Sequence, residues 1–205
     1  AETPVDTFNP LEQYVGQILT SSLFCENVEV VPRGRTTRGG GAPTTEIGEA
    51  LRCTLTLLGR GEELPNTAGL NWGQNAGNHT NFNDAYIKIR VSDVRTSSIL
   101  FPEKQQYPQL GGGRAQRHND SIEIIWDDGV CMEGLLEGSQ TINGKTYPKQ
   151  VSSAPRKSDL GEYMRSRLGV SSGNRVFRRD LDRYGRTDIE VSLLAPGVYS
   201  FNFSV

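Results

Sequence analysis

The chain has 205 residues, 35% of them hydrophobic and 22% charged, which suits one water-soluble globular domain with a real core and excludes a disordered chain. No run approaches the ~18 apolar residues of a spanning helix, the N-terminus lacks a basic stretch followed by an apolar block, and Cys25, Cys53 and Cys131 are too few and scattered for a disulfide framework, so a cytoplasmic protein is expected. The net charge of −2 conceals polarisation: between positions 145 and 186 eleven Lys or Arg stand against four Asp or Glu, a net of +7, which leaves −9 on the other 163 residues.

Taken in chain order, residues 9–19 predict a helix. Asn9 can cap it, Pro10 suits its first position, and Leu11, Tyr14, Val15, Ile18 and Leu19 share a face. Residues 32–43 hold Arg33, Arg35, Arg38 and three consecutive glycines, a composition without period that reads as a linker or a basic arm. Residues 1–47 are therefore expected to form an N-terminal helix and linker, and residues 48–205 the main domain.

From position 49 the dominant period is two. Leu51, Cys53, Leu55 and Leu57 alternate with Arg52, Thr54 and Thr56, Ala85, Ile87, Ile89 and Val91 with Tyr86, Lys88 and Arg90, and Ile122, Ile124 and Trp126 with Glu123, Ile125 and Asp127. Residues 130–136 and 147–152 predict two further strands, with turns at Asp128, Gly129 and at Asn143, Gly144. In the tail, Tyr199, Phe201, Phe203 and Val205 point one way. Some six strands joined by turns predict a mainly β, closed or nearly closed antiparallel barrel.

Two helices interrupt this series. Asp159 with Glu162 three residues on predicts a capping box ahead of Leu160, Tyr163, Met164 and Leu168, and Gly169 ends the helix. Phe177, Leu181 and Tyr184 predict a second, closed by Gly185. Their apolar faces would plug the barrel, with Arg165, Arg167, Arg178, Arg179, Arg183 and Arg186 pointing mainly outward.

Catalytic signatures are missing from the sequence. Neither His79 nor His118 is followed by Lys two residues on, no GxSxG, HExxH or phosphate-binding glycine loop occurs, and no Glu-x-Lys follows the Asp127, Asp128 pair. The expectation is a binding domain with no catalytic residues, no metal and no cofactor. An intact nuclease using His79 or His118, and a carbohydrate module stacking sugars on Trp72 and Tyr86, remain the alternatives.

Two polar segments point to nucleic acid. Residues 71–83 are dense in flat hydrogen-bonding groups: Asn71, Gln74, Asn75, Asn78, His79, Asn81 and Asn83, with Trp72 and Phe82 among them. An amide offers a donor and an acceptor together, as pairing with an adenine edge requires. Residues 149–159 leave a strand and enter a helix carrying Lys149, Gln150, Ser152, Ser153, Arg156, Lys157 and Asp159, cations for phosphates and polar groups for base edges. Of 22 cations 17 are Arg, whose planar fork matches phosphate and the guanine edge. Two such arms on one barrel could straddle a duplex and enter the major groove. Arg165 completes the candidate DNA-binding set.

The runs GLNWGQ at 69–74, NDAYI at 83–87 and LFP at 100–102, followed by LGEYMRSRLG at 160–169 and DLDRYGRTD at 180–188, resemble the recognition domain of type II restriction endonucleases of the NgoFVII and BfiI kind. The similarity covers roughly residues 48–205. The resemblance implies a seven-stranded open pseudobarrel, like the plant B-three domain, that grips double-stranded DNA with an N-arm and a C-arm. On this chain the N-arm would match residues 70–81 and the C-arm residues 149–159. It also implies a short GC-rich site and a parent enzyme whose phospholipase D-like nuclease domain is not in this chain, since the HxK signature is missing. A domain that binds at the bacterial nucleoid without cutting is what the resemblance implies.

Overall fold

A computed structural model describes residues 51–75, 80–104 and 119–205. The expected N-terminal helix, the linker, the boundary at 47/48, His79 and His118 lie outside the described residues. Among the described residues, nine strands and three α-helices follow in the order β1 (Arg52–Thr56), β2 (Ile87–Lys88), α1 (Val91–Thr96), β3 (Asp120–Trp126), β4 (Cys131–Glu137), β5 (Gln140–Ile142), β6 (Lys145–Tyr147), β7 (Gln150–Ser153), α2 (Lys157–Leu168), α3 (Arg178–Tyr184), β8 (Asp188–Ala195) and β9 (Val198–Asn202). Two 3-10 turns, Arg60–Glu62 and Gly69–Gln74, lie between β1 and β2.

Seven strands make one sheet in the order β1-β8-β9-β3-β4-β7-β2. Its two end strands are drawn together without a ladder. Past β2, Arg90 Nη2 donates to the Leu58 carbonyl at 2.6 Å, and past α1 the Ser97 hydroxyl donates to the Arg52 carbonyl at 2.9 Å. The sheet is therefore nearly closed, a pseudobarrel. One pair departs from the antiparallel barrel that the turns predict. β9 forms a hairpin with β8 and then lies parallel to β3, with Phe201 opposite Trp126. This register faces Tyr199 and Phe201 inward beside Ile124 and Trp126, and the Trp126 and Phe201 rings meet edge to face at 5.3 Å.

The inward positions follow the period-two pattern: Leu55, Ile87, Ile89, Ile124, Val151, Val191 and Phe201 are all buried. Leu160, Met164 and Leu168 of α2 and Leu181 of α3 close over them. Each such side chain contributes roughly 1.5–3 kcal/mol on burial, so the covering helices belong to the core. Helix α2 begins at Lys157, three residues before the capping box predicts. Asp159 instead pairs with Arg156 at 2.8 Å, and the Ser153 hydroxyl accepts the Leu160 N–H at 2.9 Å.

The predicted strand at 85–91 is cut short. The Asp93 carboxylate accepts the Arg90 N–H at 2.7 Å and starts α1 there. The Asn143, Gly144 turn has positive φ at both residues, 51° and 78°, and joins β5 to β6 in a small separate hairpin.

Candidate nucleic-acid interface

β2 and β7 are antiparallel neighbours, with Ile87 opposite Val151 and Lys88 opposite Gln150. The chain entering β2 and the chain leaving β7 therefore lie at one end of the sheet. The Ala85 N–H donates to the Lys157 carbonyl at 3.3 Å, which joins the two polar segments at their roots.

The root of the first segment is held by side-chain amides. Asn71, fully buried, donates to the carbonyls of Val176 at 2.8 Å and Pro65 at 3.0 Å and accepts the Val176 N–H at 2.9 Å. Gln74 Nε2 donates to the carbonyls of Phe82 and Gly173, both at 2.9 Å. Asn83 accepts the Gly173 N–H at 2.6 Å and donates to Ser172 Oγ at 2.8 Å and Glu162 Oε1 at 3.2 Å. A third stretch, residues 172–176, is thus stitched beside this segment.

Beneath it lies Arg165, only 1% exposed. Its guanidinium donates to the carbonyls of Asn174 (2.7 Å), Gly161 (3.1 Å), Leu70 (3.0 Å) and Phe82 (3.4 Å). Burial lowers its pKa from the ordinary arginine value, with nearby Glu162 opposing. Four carbonyls from four stretches of chain are gathered around one desolvated cation. Helix α2 can approach this closely because position 161 is glycine: a Cβ there would lie 1.7 Å from the Asn83 carbonyl oxygen.

The second segment turns on Glu137 at the end of β4. Its carboxylate is 7% exposed as a residue and accepts from Lys157 Nζ and Gln150 Nε2, each at 2.6 Å. Burial raises its pKa, but the bonds from Lys157 and Gln150 and the Lys157 charge outweigh that, so the carboxyl stays below its ordinary value. Beyond this anchor, Arg156 stands out with its side chain 74% exposed.

The model of the NgoFVII C-terminal B3-like DNA-binding domain matches residues 46–195. The chain belongs to that family. It is accordingly a B3-like DNA-binding domain of the restriction-enzyme kind, and its nearly closed seven-stranded sheet is the pseudobarrel of such a domain. DNA is its partner. No curated protein sequence matches the chain.

In this B3-like domain the expected contact residues divide sharply. Asn81, Lys149 and Arg156 are exposed, while Trp72, Asn75, Gln150, Lys157 and Asp159 are half-buried. His79 lies outside the described residues. Asn71, Ser152, Ser153 and Arg165 are buried, which corrects the expectation that they face a ligand. Asn71 and Arg165 use their donors on backbone carbonyls, and the Ser153 hydroxyl serves Arg156 and Leu160. Gln74 is likewise committed through both amide hydrogens.

The basic segment is also less cationic in space than in sequence. Seven of its eleven cations, Lys145, Arg156, Lys157, Arg167, Arg178, Arg183 and Arg186, form ion pairs. Arg167 binds Asp127 at 2.9 Å and Asp128 at 3.1 Å and sits over the rings of Tyr163, Tyr184 and Phe203. It fastens α2 to the β3–β4 turn and to the tail. Glu137 is the anchor that sequence reasoning does not single out. Nothing at position 137 but its place at a strand end marks it, because its partners arrive from β7 and α2.

Proposed function

We propose that this domain reads a short GC-rich duplex site by laying residues 70–81 and 149–159 into the major groove as N-arm and C-arm. The observation that carries the reading is the pairing of β2 with β7, which brings both arm roots to one end of the pseudobarrel. In the groove, Asn81 offers its amide NH2 to a base-edge acceptor, Arg156 a fork for guanine, and Lys149 a charge for a phosphate. Swinging Arg156 to guanine requires leaving Asp159, an exposed pair worth only about 0–1 kcal/mol, and the released carboxylate can then accept from cytosine N4.

On this reading the chain binds without cutting, works at the nucleoid in the cytoplasm, and relies on a nuclease domain of the parent enzyme for cleavage. Fluorescence titration after selection from random duplexes tests it. The selected duplex should bind roughly a thousandfold or more tighter than random duplex at one salt concentration. Equal affinity for both would refute sequence reading. Plasmid incubated with the chain, with and without magnesium, should stay intact; cleavage would place a catalytic centre in this chain.

A further inference from the structure

Phe82 is 66% exposed, yet the backbone that carries it is tied down on both sides. Its carbonyl accepts from Gln74 at 2.9 Å and from the buried Arg165 at 3.4 Å. Before it, the Asn81 N–H donates to Asp84 Oδ2 at 3.0 Å and Asn81 Oδ1 accepts the Asn83 N–H at 2.9 Å. Beyond it, the Asp84 N–H returns to the Asn81 carbonyl at 2.9 Å, and the Gly73 N–H donates to the Asp84 carbonyl at 2.8 Å. Gly73 closes the frame from below: a Cβ there would lie 1.9 Å from the Asn81 carbonyl oxygen.

An exposed phenylalanine on a loose loop can fold back onto apolar surface. Here the backbone is fixed by Arg165, the Gln74 amide and the Asn81 side-chain oxygen, and the ring it carries stands in water next to the exposed Asn81, on the segment rooted beside Lys157. On its flank the neighbour is Gly173, where an added Cβ would lie in van der Waals contact with the Phe82 Cβ, at 3.8 Å. The apolar area left unburied in the free protein is available to a partner that brings an apolar edge to the same place.

Duplex DNA presents one such edge in the major groove, at C5 of a pyrimidine, where thymine carries its methyl group. We propose that Phe82 is a specificity-determining residue that makes apolar contact with the C5 edge of one pyrimidine, held in register by the frame around Arg165. The proposal rests on the major-groove reading above and adds to it a contact that neither ion pairing nor amide bonding supplies. Because the contact is uncharged, it discriminates between sequences without changing the salt dependence of binding.

The test is selection from random duplexes by the wild-type chain, by Phe82→Ala and by Phe82→Leu, followed by titration of the enriched duplex with its pyrimidines altered at C5 one at a time, thymine to uracil and cytosine to 5-methylcytosine. At one position the wild type should change affinity by about fivefold to tenfold. Phe82→Ala should respond there by less than about twofold and enrich that position without preference, while Phe82→Leu, still apolar, should keep part of the response. All three should show the same salt slope. If the wild type enriches no sequence, the two-arm reading itself fails. If it enriches a site but no pyrimidine responds to C5, the present proposal fails whatever the variants do. It fails too if Phe82→Ala keeps the full response, or weakens all duplexes equally.

Discussion

The Lys157 ammonium lies 2.6 Å from the Glu137 carboxylate, so the first turn of α2 is fastened to the end of β4 at the place where the second polar segment leaves the sheet. Gln150 shares the same carboxylate oxygen. Replacing Glu137 by Gln removes the charge that both partners address. The loss should be about 1–2 kcal/mol by urea unfolding, since bonds to a charged group are worth ~1.5–3 kcal/mol and Lys157 is partly in solvent. Because the folded-state pKa lies below the ordinary value of 4.5, this stabilisation is present above about pH 4.5 and fades as the pH falls through the folded value. The variant should lose that part of the acid sensitivity, and an unchanged acid limb would show that Glu137 titrates as in the unfolded chain.

Arg165 supports a larger prediction. Arg165→Met keeps much of the volume but leaves the carbonyls of Leu70 and Asn174 without the guanidinium donor, while the Gly161 carbonyl keeps its helical partner. Each orphaned buried acceptor costs ~1–3 kcal/mol where water cannot reach it, so a loss of about 3 kcal/mol or more is expected in urea unfolding. Arg165→Lys should recover less than half of it, because a single ammonium cannot span carbonyls that the planar fork reaches together. A loss under about 1 kcal/mol for the Met variant would mean that water replaces the fork.

Much of the scaffold is legible in the sequence, because a half-buried strand must alternate. The inward residues of β1, β3 and β9 stand in the sequence as they stand in the sheet. β8 carries the same alternation through Ile189, Val191 and Leu193, but only three apolar positions mark it, and the arginine-rich stretch before it draws a helical and electrostatic reading instead. β5 and β6, three residues each, are too short to show a period. The site is less legible for a different reason. An amide that satisfies buried backbone and an amide that stands at the surface are the same residue in a sequence, and Asn71 and Asn81 differ only in what the fold puts beside them. Arg165 shows this most clearly. Its neighbours Arg167 and Glu162 face carboxylate and amide partners, while it turns inward to carbonyls separated from it by up to 95 positions.

Gly161→Ala separates local preference from tertiary demand. Within a helix alanine is favoured over glycine by ~1 kcal/mol, so a helix judged alone would gain. Here the added Cβ would stand 1.7 Å from the Asn83 carbonyl oxygen and 2.9 Å from Arg165 Nη1. The helix would have to move off the arm root and break the Asn83 and Arg165 bonds. Thermal and urea unfolding should therefore show a net loss of at least about 2 kcal/mol. A gain would overturn the close approach of α2 to residue 83.

Lys149 and Arg156, both exposed, should separate phosphate contact from base reading. Lys149 follows Pro148 and is anchored by its backbone, its N–H donating to the Glu137 backbone carbonyl and its carbonyl accepting from the Ile89 N–H, each at 2.9 Å, which leaves the ammonium to act as a point charge. Lys149→Ala should weaken specific and random duplex alike and lower the slope of log affinity against log salt by ~0.9. Arg156→Ala should instead cost ~1–3 kcal/mol on the selected duplex and relax a single guanine position. Its stability should change by less than about 1 kcal/mol, since the Asp159 pair is exposed on the arginine side. Titrations of both variants on selected and random duplex at several salt concentrations distinguish the roles. If Arg156→Ala lowers both affinities equally, Arg156 touches the backbone and the base-reading role passes elsewhere on the segment.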